Sequence, residues 1–116
     1  MATWVSGISD SGDIVGYYND GTTFHGFLLS KGKFTGIQPP ASDGDLARGI
    51  NARGDIVGQF GQADVPHCFL YRKGTYIIVD PPGSTLSFGR AINARGDIVG
   101  YYADSAGANH GFAATR

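Results

Sequence analysis

An internal repeat is the feature of this sequence that most constrains its fold. The segment GISDSGDIVGYY at residues 7–18 returns as GINARGDIVGQF at 49–60 and as AINARGDIVGYY at 91–102. The motif therefore starts 42 residues later each time (49 − 7 = 91 − 49 = 42). Repeats of this length are typical of solenoids, propellers and other arrays. We divide the single domain into repeats 3–43, 44–84 and 85–116, of which the third is incomplete.

Each repeat contains four short runs of strand-forming residues, here called a, b, c and d, separated by turn signals. Runs a and b are joined by an Asn-Ala-Arg-Gly turn, in which glycine supplies the left-handed residue that a hairpin requires. Lys31-Gly32 and Lys73-Gly74 join runs c and d, and proline pairs end run d. The third repeat ends after run c. No segment has the apolar period of a helix, so the sequence predicts an all-β fold.

The strand-like runs also predict how the sheets are packed. Runs such as Asp-Ile-Val-Gly-Tyr-Tyr are apolar on both faces, which is typical of a sheet that lies between two others. Propeller blades are four-stranded and pack in this way, and a blade spans about 42 residues. We therefore predict about three four-stranded antiparallel repeats forming part of a β-propeller, with the third repeat lacking its last strand. We expect run a to line the central channel.

The repeat resembles the bacterial HAF repeats, a family of predicted extracellular proteins. The matching residues are the Gly-Ile-Asn-x-x-Gly-x-Ile-Val-Gly-x-Tyr motif and a His-small-Phe signature. The signature occurs as His25-Gly26-Phe27, His67-Cys68-Phe69 and His110-Gly111-Phe112. The resemblance implies propeller-like blades and little biochemistry. Family members usually have more repeats and an export signal, whereas this chain has fewer than three complete repeats and no such signal.

Composition excludes several classes of partner. The net charge is −1 and the lysines and arginines are scattered, so we expect no nucleic-acid partner. No apolar run approaches the length of a membrane span, so we expect no membrane partner. The N-terminal residues lack the features of a signal peptide, which predicts a cytoplasmic protein as the sequence is written. The resembled family, in contrast, is often exported.

The number of repeats predicts self-association. Propellers close with about four blades or more, so three blades cannot close on themselves. Repeat arrays also need polar caps, and the ends of this chain carry Trp4-Val5 and Phe112-Ala113-Ala114. We therefore expect a homodimer that forms a six-bladed ring. The alternative is that the sequence is a fragment of a longer propeller.

The histidines are the first group of candidate site residues. His25, His67 and His110 all occupy the start of run c, and Asp20, Asp64 and Asp104 lie in the loops that precede them. One interpretation is structural, with each histidine bonded within its own blade. The other is that the ring brings them together at its mouth to hold a divalent transition metal such as zinc, which could activate water for hydrolysis.

Arginines and aromatic residues form the second group of candidates. Arg48 and Arg90 fall in the middle of run a, where Ser6 occupies the equivalent position in the first repeat. Inner-strand arginines can bind an anionic ligand, because guanidinium matches a carboxylate or phosphate in two-point contact. They can equally pair with a neighbouring blade. Six aromatic residues either stack on sugars or form the core between blades, namely Trp4, Tyr17, Tyr18, Phe60, Tyr101 and Tyr102.

Two classes of function remain open at this point. The first is an oligomeric half-propeller that acts as a multivalent binding module for a small ligand or carbohydrate, with Arg48, Arg90 and the loop aspartates in its sites. The second is a metal-dependent hydrolase acting on esters, lactones or phosphoesters, with the three histidines as ligands. No catalytic residue can be assigned from the sequence for either class, because no nucleophile or acid–base motif is present.

Overall fold

In the computed structural model, which describes residues 2–115, the chain forms eleven β-strands and no helix within that range. The strands are β1 (Ala2–Ile8), β2 (Ile14–Asn19), β3 (Phe24–Ser30), β4 (Lys33–Ile37), β5 (Gly44–Ile50), β6 (Ile56–Gln62), β7 (Val65–Arg72), β8 (Thr75–Val79), β9 (Leu86–Ile92), β10 (Ile98–Ala103) and β11 (Asn109–Ala114). They match the predicted runs with small shifts at the ends. The last residue of the third repeat, Arg116, lies outside the described residues.

The strands form three antiparallel sheets, which we call blades 1, 2 and 3. Their strand orders are β1-β2-β3-β4, β5-β6-β7-β8 and β9-β10-β11. The arrangement is propeller-like and open rather than closed, which confirms the predicted fold class. Nothing in residues 2–115 forms a helix of the length and apolarity needed to cross a membrane.

Turn chemistry explains why each repeat folds into hairpins. Gly54 in the turn between β5 and β6 has a φ angle of 83°, and its counterparts Gly12 and Gly96 are also left-handed. Lys31 and Gly32 both have positive φ, at 51° and 78°, as do Lys73 and Gly74. Two successive left-handed residues make the type I′ turn that matches the twist of flanking strands. The predicted tight hairpins are therefore present in both complete blades.

The core lies between blades rather than within one of them. Val15 of blade 1 belongs to a buried cluster with Ala47, Ile56 and Phe69 of blade 2. A second cluster joins Val57, Cys68 and Leu70 of blade 2 to Ile98 of blade 3. The apolar character of both faces of the strands is explained by this packing, because the middle blade buries both of its faces.

The first strands of the blades lie next to one another. Strand β5 contacts both β1 and β9 across the gaps between blades. The backbones approach closely at Gly7, where an added Cβ atom would lie 3.3 Å from the carbonyl oxygen of Arg48. At Gly49 an added Cβ would lie 3.4 Å from the Cα atom of Ala91. The first strands of the three blades are therefore close together, as expected if run a lies beside a central axis.

Loops and turns divide between two edges of the blades. On one edge, the link before β5 meets the turn between β6 and β7, where Asp43 accepts a hydrogen bond from the Asp64 backbone at 3.0 Å. On the opposite edge, the hydroxyl of Ser30 donates to Asp13 at 2.7 Å, so the c–d hairpin adjoins the a–b turn. The candidate histidines and loop aspartates therefore lie on the first of these edges.

Candidate functional site

The candidate arginines are placed by an irregularity that recurs in every blade. The pairing of β1 with β2 shifts register between Val5 and Gly7, so that Ser6 has no partner. The same shift occurs at Arg48 in β5 and at Arg90 in β9. A residue inserted in this way is a β-bulge, which bends the strand and redirects a side chain. Every blade therefore has a bulge at the equivalent residue of its first strand.

Each arginine lies over the ring of a tyrosine. The Arg48 guanidinium carbon is 5.3 Å from the ring centre of Tyr17, which belongs to the preceding blade. The Arg90 guanidinium carbon is 5.4 Å from the ring centre of Tyr101, in its own blade. These distances are within the range of cation–π attraction. Arg48 therefore contacts the preceding blade through a tyrosine ring, whereas Arg90 contacts a ring of its own blade.

A second aromatic ring extends each of these sites. Trp4 stacks on Tyr17 with ring centres 5.1 Å apart, and Phe88 stacks on Tyr101 at 4.7 Å. The indole of Trp4 keeps a large exposed surface, since the residue is 42% exposed. We call the combination of arginine, tyrosine and second ring an arginine–aromatic site. Trp4, Tyr17 and Arg48 form the first one, and Phe88, Tyr101 and Arg90 form the second.

The first arginine–aromatic site has unused hydrogen-bonding capacity. The Nε atom of Arg48 and the hydroxyl of Ser6 are both buried and have no hydrogen-bond partner among residues 2–115. Arg90 is exposed. A guanidinium group in such a position retains donors in the planar arrangement that matches a carboxylate or phosphate. The sites can therefore offer a flat apolar surface and a fixed positive charge side by side.

Two of the three histidines pair with the predicted loop aspartates. His25 Nε2 lies 2.8 Å from Asp20, and His110 Nε2 lies 2.7 Å from Asp104. The carboxylates of Asp20 and Asp104 also accept backbone N–H groups of their own loops. In blades 1 and 3, therefore, the histidine and aspartate hold the loop between the second and third strands.

The histidine of blade 2 has a different partner. The turn between β6 and β7 is shortened to Ala63-Asp64, both with positive φ, so Asp64 precedes the histidine by three residues (67 − 64) rather than by five or six as in the other blades. The Asp64 carboxylate therefore does not reach His67. Instead, His67 Nδ1 lies 3.0 Å from Asp80, which follows β8. Asp80 was not among the residues predicted from the sequence, where the only signal for it is its position directly before the Pro81-Pro82 pair.

The described chain holds no ready-made metal site. Among residues 2–115, no three or more His, Cys, Asp or Glu side chains lie close enough together to hold a metal ion. Each histidine ring instead packs on an aromatic side chain of its own blade, Tyr18, Phe60 or Tyr102. Among residues 2–115 of one chain, the predicted zinc-like site and the hydrolase built on it therefore have no converging ligand set.

The electrostatics of the loop in blade 1 lead to a prediction about acid stability. Hydrogen bonds from the Thr23 backbone, the His25 ring and the Thr22 backbone lower the pKa of Asp20 from 3.8 to about 2. A carboxylate whose folded pKa is lowered stabilises the fold above its unfolded pKa, and loses that contribution as the pH falls through the folded value. We expect Asp20→Asn to flatten the fall of the unfolding temperature between pH about 4 and about 2.

Thermal unfolding followed by circular dichroism across this pH range measures the effect. Asp10→Asn is the matched control, because it removes the same charge from an exposed turn on the opposite edge. The control should keep the steeper acid dependence of the wild type. Equal slopes for Asp20→Asn and the wild type would contradict the assigned role of Asp20.

The single cysteine is placed in the core between blades. Cys68 is fully buried against blade 3, and burial followed by the charge of Asp80 raises the pKa of its thiol to about 12. A thiol that stays protonated is a poor nucleophile. Cys68 therefore acts as a small packing residue, as its replacement of glycine in the signature predicts.

Comparison with known proteins finds no matching family model, no matching curated protein and no matching solved structure. The resemblance to HAF repeats therefore stays a prediction.

Proposed function

We propose that this chain is a non-catalytic binding module, an oligomeric half-propeller that binds small anionic ligands or acidic carbohydrates at its arginine–aromatic sites. The observation that supports the proposal is that both inner-strand arginines lie over a tyrosine ring, one of the preceding blade and one of the same blade. The arginine carbon is 5.3 Å from the ring centre in one site and 5.4 Å in the other. The same β-bulge positions both arginines.

The chemistry of the site favours a carbohydrate that carries a carboxylate or a phosphate. A sugar ring has an apolar face that stacks on an exposed aromatic ring, and Trp4 offers such a surface. The anionic group of the same ligand can accept hydrogen bonds from the neighbouring guanidinium. A neutral sugar would use only the aromatic part of the site, so it should bind more weakly.

Repetition suits weak sites that act together. One chain has two arginine–aromatic sites, whose arginines lie 42 residues apart (90 − 48 = 42). Linking several weak sites raises the overall affinity for a polymer with repeated charges, because each later contact is intramolecular. Blade 1 has Ser6 where the other blades have arginine, so it contributes aromatic surface without the charge.

Replacing the two inner-strand arginines tests the proposal. We expect Arg48→Gln with Arg90→Gln to weaken binding of acidic oligosaccharides by about tenfold or more, because a hydrogen bond to a charged group contributes roughly 1.5–3 kcal/mol. Titration calorimetry against a panel of uronic-acid, phosphorylated and neutral oligosaccharides measures the effect. Circular dichroism checks that the variant keeps its fold.

The chain provides a matched control for this experiment. Arg53→Gln with Arg95→Gln removes the same charge from two exposed turns, and we expect its binding to stay within about twofold of the wild type. Equal losses in both double variants would show that binding depends on overall charge alone. Failure of the wild type to bind any acidic oligosaccharide on the panel would overturn the proposal.

A further inference from the structure

We propose that a second copy of this chain closes the ring, and that its interface reproduces the two blade–blade interfaces within one chain. Blade 3 of one copy packs against blade 1 of the other, and the same contact recurs on the opposite side. The proposed function includes an oligomer, and the partner inferred here is a second copy of the same chain. The inference rests on that oligomeric part of the proposed function. It does not depend on which ligand binds.

Equivalent residues are buried inside the chain and exposed at its ends. Val15 and Val57 face the next blade and are completely buried, whereas their counterpart Val99 in blade 3 is 48% exposed. Ile50 faces the preceding blade and is 8% exposed, whereas its counterpart Ile8 in blade 1 is 67% exposed. The outer faces of blades 1 and 3 are thus the two halves of an interface that the chain already forms twice.

A hydrogen bond that joins the blades shows how the halves fit. The carboxylate of Asp45 in blade 2 accepts a hydrogen bond from the backbone N–H of Gly26 in blade 1. One repeat later, the hydroxyl of Ser87 accepts from the backbone N–H of Cys68 at 2.8 Å.

The same donor and acceptor positions lie on the outer faces of blades 1 and 3. The acceptor position in blade 1 is held by Thr3, and the donor position in blade 3 is held by Gly111. Both residues are exposed. Thr3 of one copy therefore supplies the acceptor for Gly111 of the other.

The side-chain volumes at the same place compensate each other. Gly26 faces Ala47, whose backbone nitrogen would lie 3.4 Å from a Cβ added to the glycine. Cys68 faces Gly89, and a Cβ added there would lie 2.8 Å from the cysteine sulfur. Where one blade has the larger residue at this contact, the facing blade therefore has the smaller one.

The two ends of the chain continue this pattern. Gly111 occupies the position of Gly26 and Cys68, and Val5 occupies the position of Ala47 and Gly89. Gly111 on blade 3 would thus face Val5 on blade 1 of the other copy, and Val5 is the largest residue found at its repeat position. This match favours closure between two copies of this chain over docking of an unrelated protein.

The number of blades favours two copies. Contacts between two different faces of a chain either close into a ring or extend as a filament. Closed propellers have about four to eight blades, and two copies of this chain contribute three blades each. The inferred assembly is a six-bladed ring with two identical interfaces.

Light scattering on the purified chain without ligand tests the closure first. We expect the mass of two chains at micromolar concentration. We expect Val99→Asp to reduce that mass to one chain, because it places a charge in both interfaces. A wild-type mass of one chain would overturn the inference, and a distribution extending to large open assemblies would overturn the closed ring.

Disulfide trapping tests the register. In a Cys68→Ala background, Val5→Cys with Gly111→Cys places thiols at the positions equivalent to Gly89 and Cys68. We expect this variant to form a covalent dimer on oxidation, as seen by non-reducing electrophoresis. Val5→Cys with Ala113→Cys is the control, because it moves one thiol two residues along the same face of β11. Equal cross-linking of both pairs would overturn the inferred register.

Failure of the ring and failure of the binding site can be told apart. The arginine variants leave the apolar outer-face residues Val99 and Ile8 unchanged, so we expect Arg48→Gln with Arg90→Gln to retain the mass of two chains. A dimer that binds no acidic oligosaccharide would refute the binding proposal alone. A single-chain protein that binds such ligands would refute the ring and the oligomeric part of the proposed function, and would leave the binding site standing.

Discussion

Gly58→Ala is expected to destabilise the protein by about 3 kcal/mol, because the added methyl group has no space. A Cβ atom at Gly58 would lie 2.0 Å from the carbonyl oxygen of Leu46 and 2.9 Å from the ring of Phe69. The carbonyl belongs to the strand backbone just before the bulge at Arg48, so it cannot move without undoing the bulge. Urea unfolding followed by circular dichroism measures the change.

Gly36→Ala is the matched control for this substitution. Gly36 also lies in a strand, but a Cβ added there meets nothing within 4 Å. We expect its free energy of unfolding to stay within about 0.5 kcal/mol of the wild type. If both variants were equally stable, the close approach of the Leu46 carbonyl to Gly58 would not restrict the residue at that position. Gly16 and Gly100 face the same obstruction, at 2.1 Å and 2.0 Å from the carbonyl oxygens of Trp4 and Phe88.

Strands and turns could be predicted from the sequence because local rules determine them. The turn glycines Gly12, Gly54 and Gly96 mark positions where only a left-handed residue closes the hairpin. Proline pairs mark the end of run d, and apolar residues on both faces indicate that blades pack on each other. The repeat then shows that the same pattern of strands and turns occurs in every copy. A wrong prediction for one copy would therefore disagree with the other copies.

The candidate site was less predictable because it depends on contacts between blades. Arg48 and Tyr17 were both singled out from the sequence, but their contact arises from the register shift in β5 and the placement of blade 1 beside it. The pairing of His67 with Asp80 rather than Asp64 depends on one shortened turn. The Asp45 and Ser87 acceptors differ in residue type, so the repeat alone did not reveal their shared role.

Asp45→Ala is expected to destabilise the protein by about 2 kcal/mol, because it leaves the Gly26 N–H without a partner between two blades. Asp45 is 2% exposed, and its other carboxylate oxygen accepts a hydrogen bond from the Ser42 hydroxyl at 2.8 Å. Asp45→Ser is the matched control, since Ser87 performs the same task for Cys68 in the next interface. We expect the serine variant to be more stable than the alanine variant in urea unfolding.

The pH dependence of stability separates the charge of Asp45 from its role as an acceptor. Burial raises the pKa of Asp45 above its ordinary value of 3.8, against the opposing effect of the Gly26 and Ser42 hydrogen bonds. A folded state with a raised carboxyl pKa binds more protons than the unfolded state, so this group adds stability as the pH falls from the folded pKa towards 3.8. We expect this rise in stability on acidification to be absent in Asp45→Ser and present in Asp20→Asn. If alanine and serine variants unfolded at the same urea concentration, the hydrogen bond between blades would contribute nothing, and the inferred contact of Thr3 with Gly111 in the ring would lose its main support.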